Sequence, residues 1–127
     1  MSQSKIYGFF KLIRFGVSLF GCIGLFVSGI LAGDLKTFQI EYLNAFLIVF
    51  ISAVGAFAIN DYYDYELDKS NNRMDRPLVL ELISRRTALF TAILSLFLVI
   101  ILSLFLNLVA MIFCLISISM FYLYSMG

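Results

Sequence analysis

The residues with the clearest chemical potential lie in the segment Asn-Asp-Tyr-Tyr-Asp-Tyr-Glu-Leu-Asp, residues 60–68. This segment directly follows an apolar run and contains no Gly or Pro, so we expect the preceding helix to continue through it. At about 100° per residue, with Asn60 at zero, Asp64, Asp68 and Asp61 fall at about 40°, 80° and 100°. One amide and three carboxylates therefore share a quarter of the helix surface. We call these four residues the polar stripe.

Carboxylates placed this closely repel one another, so the polar stripe is unfavourable unless a cation occupies it. Oxygen ligands at this spacing suit Mg²⁺, which takes one or two carboxylates together with water and substrate phosphate oxygens. The alternative is a solvated acidic helix end beside a lipid surface, and Glu66 and Asp68 fit that interpretation. Asn60, Asp61 and Asp64 fit it less well, because ionisable groups at a membrane boundary mark function by default.

Two arginines, Arg73 and Arg76, follow the polar stripe and precede Pro77, the only proline of the chain. Either they anchor the cytoplasmic side of a membrane segment, or their guanidinium groups bind diphosphate oxygens beside the metal. The residues alone leave both interpretations open. The chain has no histidine, which excludes a catalytic triad with histidine, an imidazole base and a histidine metal site.

Long apolar runs must position the polar stripe. Hydrophobic residues make up 62% of the 127 residues and charged residues 13%, against roughly half and a quarter in soluble domains. A membrane core of roughly 30 Å needs about 20 helical residues. The runs at 15–33 and 42–60 each supply one span, and the longer run at 87–127 supplies two, 87–106 and 108–126, separated at Asn107. The sequence therefore predicts a single all-α transmembrane domain of four helices, with a motif loop at 61–86.

The distribution of charge predicts how these spans are oriented. Eight of the nine Lys and Arg residues precede residue 15 or lie within 61–86, and Lys36 is the exception. By the positive-inside rule, the N-terminus and the motif loop of this multi-pass protein are cytoplasmic. The net charge is only +1 and no basic run carries interleaved aromatic residues, which argues against nucleic acid as a partner. We expect membrane lipids and lipid-like molecules instead.

The chain resembles the UbiA superfamily of intramembrane prenyltransferases in three segments. The polar stripe resembles the first aspartate-rich motif of that superfamily, NDxxDxxxD. Two further segments follow it as they do in the superfamily, Asp-Arg-Pro-Leu at 75–78 and Ile-Ser-Arg-Arg-Thr-Ala at 83–88. The resemblance covers residues 14–86 by pattern and the later spans by hydropathy. It implies a bundle of nine transmembrane helices around a lipid-open cavity, of which the four predicted spans would be the N-terminal part. It also implies Mg²⁺-dependent transfer of a prenyl group from a prenyl diphosphate to a lipid or aromatic acceptor.

The resemblance also implies a role for each matched residue. The polar stripe would hold Mg²⁺, with Asp61 and Asp64 as its catalytic members, and the two arginines after it would bind the diphosphate. Arg14 resembles the arginine that starts the family's first helix, although this chain lacks the Pro and Asn that usually follow. Tyr124 resembles the tyrosine of a Tyr-Ser pair in the family. We therefore expect Arg14 and Tyr124 to bind substrate as well.

Within the superfamily, residues 60–69 are most similar to the archaeal-type enzymes that add a second geranylgeranyl chain to geranylgeranylglyceryl phosphate. Residues 79–82 depart from that pattern, because Val-Leu-Glu-Leu replaces a Pro-Ser-Gly-basic stretch. The family's second aspartate-rich motif has no counterpart here. We therefore expect the 127 residues to be the N-terminal half of such an enzyme, inactive without its C-terminal half. A cation-conducting or transport protein and a non-catalytic membrane scaffold fragment are the alternatives.

Cysteine labelling tests the predicted orientation. Cysteines introduced at Lys5 and Lys69 should be shielded in intact cells from a membrane-impermeant thiol reagent, whereas a cysteine at Lys36 should react, because the charge bias places only Lys36 outside. Labelling at residue 69 from the outside would show that the orientation is wrong.

Overall fold

Helices make up all the regular structure in the part of the chain that is described. The computed structural model describes residues 5–32 and 40–126. Within those ranges it contains no strand, and the six helices are α1 (Lys5–Leu12), α2 (Phe15–Leu31), α3 (Ile40–Tyr63), α4 (Tyr65–Ser70), α5 (Arg85–Ser103) and α6 (Leu108–Met126). The helices α3, α5 and α6 are each long and apolar enough to cross a membrane, and α1 with α2 forms a fourth candidate span bent by 41°. The predicted all-α transmembrane fold is confirmed.

Two short helices, α1 and α4, were not among the four predicted from the apolar runs. The first precedes the predicted span at 15–33. The second lies within the predicted motif loop at 61–86, and its first residues belong to the segment 60–68 through which we expected the preceding helix to continue. In addition, α5 begins at Arg85 and not at 87, because Ser84 has an extended backbone and its hydroxyl accepts a hydrogen bond from the Thr87 N–H at 3.1 Å. This is the geometry of an N-cap, so the helix begins two residues before the predicted start of the span. Residue 33 and Lys36 lie outside the described residues.

The bend between α1 and α2 occurs at Arg14. Its backbone is left-handed, with φ 44° and ψ 53°, a conformation that costs a non-glycine residue of the order of 1 kcal/mol. The Arg14 carbonyl nevertheless accepts the Ser18 N–H at 3.0 Å, so α2 starts immediately after the bend. Strained backbone of this kind is found where a side chain must be placed for function.

A short connection joins α5 to α6. Its last residue is Asn107, whose side-chain oxygen accepts the Ala110 N–H at 2.9 Å. An amide side chain in this position satisfies one of the free N–H groups at a helix start. The two helices are therefore antiparallel neighbours, and the C-terminal end of α6 returns to the side on which α5 begins.

The central helix is α3, which packs against α2, α5 and α6. Small residues make its contact with α5 close: a Cβ built on Gly55 would lie 2.8 Å from Ser95 Cβ and 3.2 Å from Tyr122 Oη. The Tyr122 hydroxyl donates a hydrogen bond to the Ala92 carbonyl at 2.5 Å, which ties α6 to α5 at the same level. Small residues permit this approach in lipid, where helices associate by packing and interhelical hydrogen bonds.

Gly55→Ala tests the close contact. Alanine normally stabilises a helix relative to glycine by about 0.5–1 kcal/mol. At position 55 the overlap with Ser95 and Tyr122 should outweigh that gain and lower the free energy of unfolding by about 1–3 kcal/mol. Gly24→Ala is the matched control, because nothing lies within 4 Å of a Cβ built there. The measurement is thermal unfolding in detergent, and a Gly55→Ala protein as stable as the control would contradict the packing argument.

Candidate active site

The polar stripe lies where α3 passes into α4. The helix ends at Tyr63, and Asp64 (φ −73°, ψ −5°) stands between the two helices. The backbone hydrogen bonds continue across this point, since the Asp64 N–H donates to the Asn60 carbonyl at 2.9 Å and the Asp68 N–H to the Asp64 carbonyl at 2.8 Å. The chain therefore keeps its helical course through Asp68 although α3 and α4 are separate.

Asp61 is the most deeply buried member of the stripe, with 2% of its surface exposed. Its Oδ1 lies 3.0 Å from Arg76 Nη1 and 3.3 Å from Arg14 Nη2. Arg76 also reaches Asp68, which is 6% exposed, with Nε 3.2 Å from Asp68 Oδ2. The Arg76 guanidinium therefore bridges the carboxylates of Asp61 and Asp68. These two carboxylates would otherwise repel each other, and the shared cation reduces that repulsion.

The other half of the stripe is a pair formed by Asn60 and Asp64. The Asn60 amide donates a hydrogen bond to Asp64 Oδ2 at 2.5 Å, and both side chains are partly exposed. The stripe thus divides into an arginine-bound pair, Asp61 and Asp68, and an amide–carboxylate pair. Within residues 5–32 and 40–126, no three acidic, histidine or cysteine side chains converge to form a metal site by themselves.

A polar cavity of about 250 Å³ opens beside Asp61. Four cationic side chains line it against two carboxylates, with a proline completing the wall: Lys11, Arg14, Arg73, Arg76, Asp61, Asp75 and Pro77. A hydrogen bond from Arg73 holds the pKa of the Asp75 carboxyl well below its usual range, so both groups are charged at neutral pH. The excess of positive charge makes the cavity suitable for an anion with several oxygens.

The three arginines reach the cavity from two separate parts of the chain. Arg14 comes from the bend between α1 and α2, and its guanidinium lies over the Phe57 ring, 4.6 Å from the centroid. Arg73 and Arg76 come from the segment after α4, which turns back through an Arg73 N–H to Asp68 carbonyl bond of 3.0 Å and a left-handed Asn72 (φ 51°). Asn tolerates that conformation better than most residues.

The structure brings Asp61 and Asp68 together with the three arginines predicted to bind substrate. Asn60 and Asp64 pair with each other, and Tyr124 does not join the cluster. Tyr124 lies on α6 with 83% of its surface exposed, whereas Tyr122 lies in the helix contact described above. Two residues along a helix is about 200° of rotation, which separates the two rings.

Sequence reasoning missed Lys11 and Asp75 as cavity residues. The signal for Lys11 was its spacing, one helical turn before Arg14.

Comparisons with known proteins identify the family of the chain. The sequence model of the UbiA prenyltransferase family matches residues 17–127, and the chain belongs to that family. Over 71 residues it is 51% identical to digeranylgeranylglyceryl phosphate synthase of Archaeoglobus fulgidus, a match that covers 56% of this chain and 23% of that relative. Over 95 residues it is 34% identical to the Pyrococcus furiosus enzyme of the same name, covering 72% of this chain and 32% of that relative.

A solved structure from work on digeranylgeranylglyceryl phosphate synthase in membranes has the same helical arrangement. It superposes with a TM-score of 0.88 and 28% identity over 97% of this chain and 44% of the solved chain. The chain therefore spans less than half the length of the solved chain, and the matches cover 23% and 32% of the two curated relatives above.

Arg76→Gln tests the bridge between the two buried carboxylates. The variant leaves Asp61 and Asp68 without their shared cation, so we expect the free energy of unfolding to fall by about 3 kcal/mol. Arg73→Gln is the matched control: Arg73 is 46% exposed and pairs with Asp75, which is 60% exposed, so the loss of stability should be much smaller because solvent screens this pair. Equal stabilities of the two variants in thermal unfolding would show that the bridge has no structural role.

Proposed function

We propose that this chain forms the diphosphate-binding part of a prenyltransferase that moves a prenyl group from a prenyl diphosphate to a lipid acceptor. The observation that carries the proposal is the cavity beside Asp61, where four cationic side chains meet at the end of an apolar span. The match to the UbiA prenyltransferase family supports the reaction class. The names of the relatives favour geranylgeranyl as the prenyl group and geranylgeranylglyceryl phosphate as the acceptor.

The arginines hold the diphosphate in this proposal. Arg14 and Arg76 each place one nitrogen on Asp61, and a guanidinium has five N–H donors, so each keeps donors for a second anion. Asp61 acts as the anchor that fixes both groups before substrate arrives. Donors placed in advance stabilise the charge that develops on the departing diphosphate without reorganising during the reaction.

Mg²⁺ is an expected cofactor, and the Asn60 and Asp64 pair fits it best among the stripe residues. These two side chains offer an amide oxygen and a carboxylate one helical turn apart, and Mg²⁺ takes only one or two carboxylates when substrate phosphates and water complete its coordination. Asp61 and Asp68 are engaged by arginine here and would add their charge to the same site. When bound, the metal would supply positive charge that neutralises the diphosphate leaving group.

The reaction breaks the allylic C–O bond of the prenyl diphosphate, and the bonding electrons leave with the diphosphate. A hydroxyl oxygen of the acceptor then forms a new C–O bond with the allylic carbon and releases its proton. In the complete enzyme, apolar helices would have to exclude water, which would otherwise capture the allylic cation. A cation channel is less well supported, because the buried carboxylates Asp61 and Asp68 are paired with arginine and do not form an open acidic ring.

The C-terminal half of the enzyme is an expected partner in this proposal, because the family uses a second aspartate-rich motif that we do not find in this sequence. The 127-residue chain by itself should therefore bind diphosphate weakly and show no prenyl transfer. The measurement is product formation by the purified chain in detergent with Mg²⁺, geranylgeranyl diphosphate and geranylgeranylglyceryl phosphate. Appreciable turnover would show that one carboxylate stripe is sufficient.

Asp64→Asn in the complete enzyme tests the metal-binding role. The substitution keeps the shape and the hydrogen bond from Asn60 but removes the charge, so we expect turnover to fall by at least ~100-fold, or about 2.7 kcal/mol of barrier. Stability without metal should be unchanged or slightly higher, because one of several neighbouring carboxylates is neutralised.

Glu66→Gln is the control, since Glu66 is 72% exposed and pairs with Arg85, away from the cavity. Turnover of both variants is measured against Mg²⁺ concentration together with thermal stability. If Asp64→Asn keeps near-normal activity, or if Glu66→Gln is the more damaging change, the assignment of the metal site is wrong.

A further inference from the structure

A second and larger cavity lies between α1, the segment before α5 and the start of α5, with a volume of about 800 Å³. Its walls are mainly apolar, with Phe9 and Phe10 from α1 and Leu82 from the segment before α5. Lys5 and Arg85 add positive charge. We propose that this cavity binds one anionic phospholipid of the surrounding membrane, with the phosphate at Lys5 and Arg85 and the upper part of an acyl chain against the two phenylalanines.

The position of the cavity in the fold is the first support. It lies where the spans begin, because α2 starts at Phe15 and the charged residues of α5 are at its first turn. The helix α1 carries two lysines together with exposed apolar side chains, including Ile6 at 70% and Phe10 at 50% exposure. A short basic helix with an exposed apolar face lies at the level of lipid headgroups.

The charges around the cavity are the second support. Two cations, Lys5 and Arg85, and one carboxylate, Glu81, line the cavity, while Glu66 pairs with Arg85 from outside the lining. Arg85 Nη1 lies 3.2 Å from Glu66 Oε1, and the guanidinium stands 4.7 Å from the centroid of the Tyr62 ring. A guanidinium has five N–H donors, and Glu66 engages only one nitrogen of Arg85. Arg85 can therefore also bind a phosphate.

The size and lining of the cavity favour a lipid over a free phosphate ion. A volume of about 800 Å³ is in the range of sites that enclose a whole organic ligand, roughly 300–1,000 Å³, and an inorganic ion would leave the phenylalanine wall uncovered. None of the lining residues belongs to the polar stripe. The lipid site therefore does not depend on the proposed transfer reaction, and either can fail without the other.

Fluorescence quenching can test the site because the chain has no tryptophan. Phe9→Trp places a single reporter in the cavity wall, and the protein is reconstituted in vesicles that contain brominated phosphatidylglycerol or brominated phosphatidylcholine. We expect the anionic lipid to quench this tryptophan at a mole fraction at least ~5-fold lower than the zwitterionic lipid, because each cation near the lipid phosphate adds to the attraction. Phe113→Trp, on the 67% exposed outer face of α6 and within an uncharged span, should show no preference.

Charge removal completes the test. Lys5→Gln in the Phe9→Trp protein should weaken the preference, and Lys5→Gln with Arg85→Gln should abolish it while quenching by phosphatidylcholine persists.

Ile6→Trp is a second reporter if Phe9→Trp does not reconstitute. Equal quenching by the two lipids at position 9, or a preference that survives both substitutions, would overturn the proposal. If inorganic phosphate abolishes the preference, the cavity binds a free ion and the proposal is wrong. If both lipids quench the tryptophan at position 113 but neither quenches it at position 6 or 9, polypeptide covers the cavity and the proposal is also wrong.

Discussion

The buried carboxylate of Asp61 is the feature on which the rest of the site depends. An ionised group with 2% exposure at the end of an apolar span is strongly unfavourable unless opposite charge lies beside it. Arg14 and Arg76 supply that charge from residues 47 and 15 positions away in sequence. The ion pairs thus join the α1–α2 bend, the end of α3 and the segment after α4 at one point, and the same point borders the cationic cavity.

Close helix packing keeps this point in place. Gly55 lets α5 and α6 approach α3 to a distance that leaves no room for a Cβ, and the fully buried Ala58 and Ala92 continue the contact toward the polar stripe. Lipid gives no hydrophobic driving force for helix association, so this fit and the Tyr122 hydrogen bond to Ala92 must hold the helices together. A rigid α3–α5 pair in turn limits how far Asp61 can move from its arginines.

The division of the polar stripe into two pairs gives its members different chemistry. Asp61 and Asp68 are bound by arginine, and in the proposed function they act on an anion indirectly, by orienting cations. Asp64 has an amide as its partner, and in the proposed function its carboxylate is the group that binds the metal. The proposed function uses both kinds of group: the arginines are in position before the diphosphate arrives, and the Asn60 and Asp64 pair remains for the metal.

The sequence by itself determined the class of fold and the face on which the polar groups lie. Both follow from local rules: apolar runs of span length must be helical in lipid, and the helical period places residues 60, 61, 64 and 68 on one side. It also indicated the UbiA prenyltransferase family through the motif in that segment. Which cation each carboxylate meets was decided only by the tertiary structure, as was the exclusion of Tyr124 from the cluster. Those contacts join residues far apart in the chain, and they depend on the left-handed backbone at Arg14 and on the turn after α4, which no local periodicity predicts.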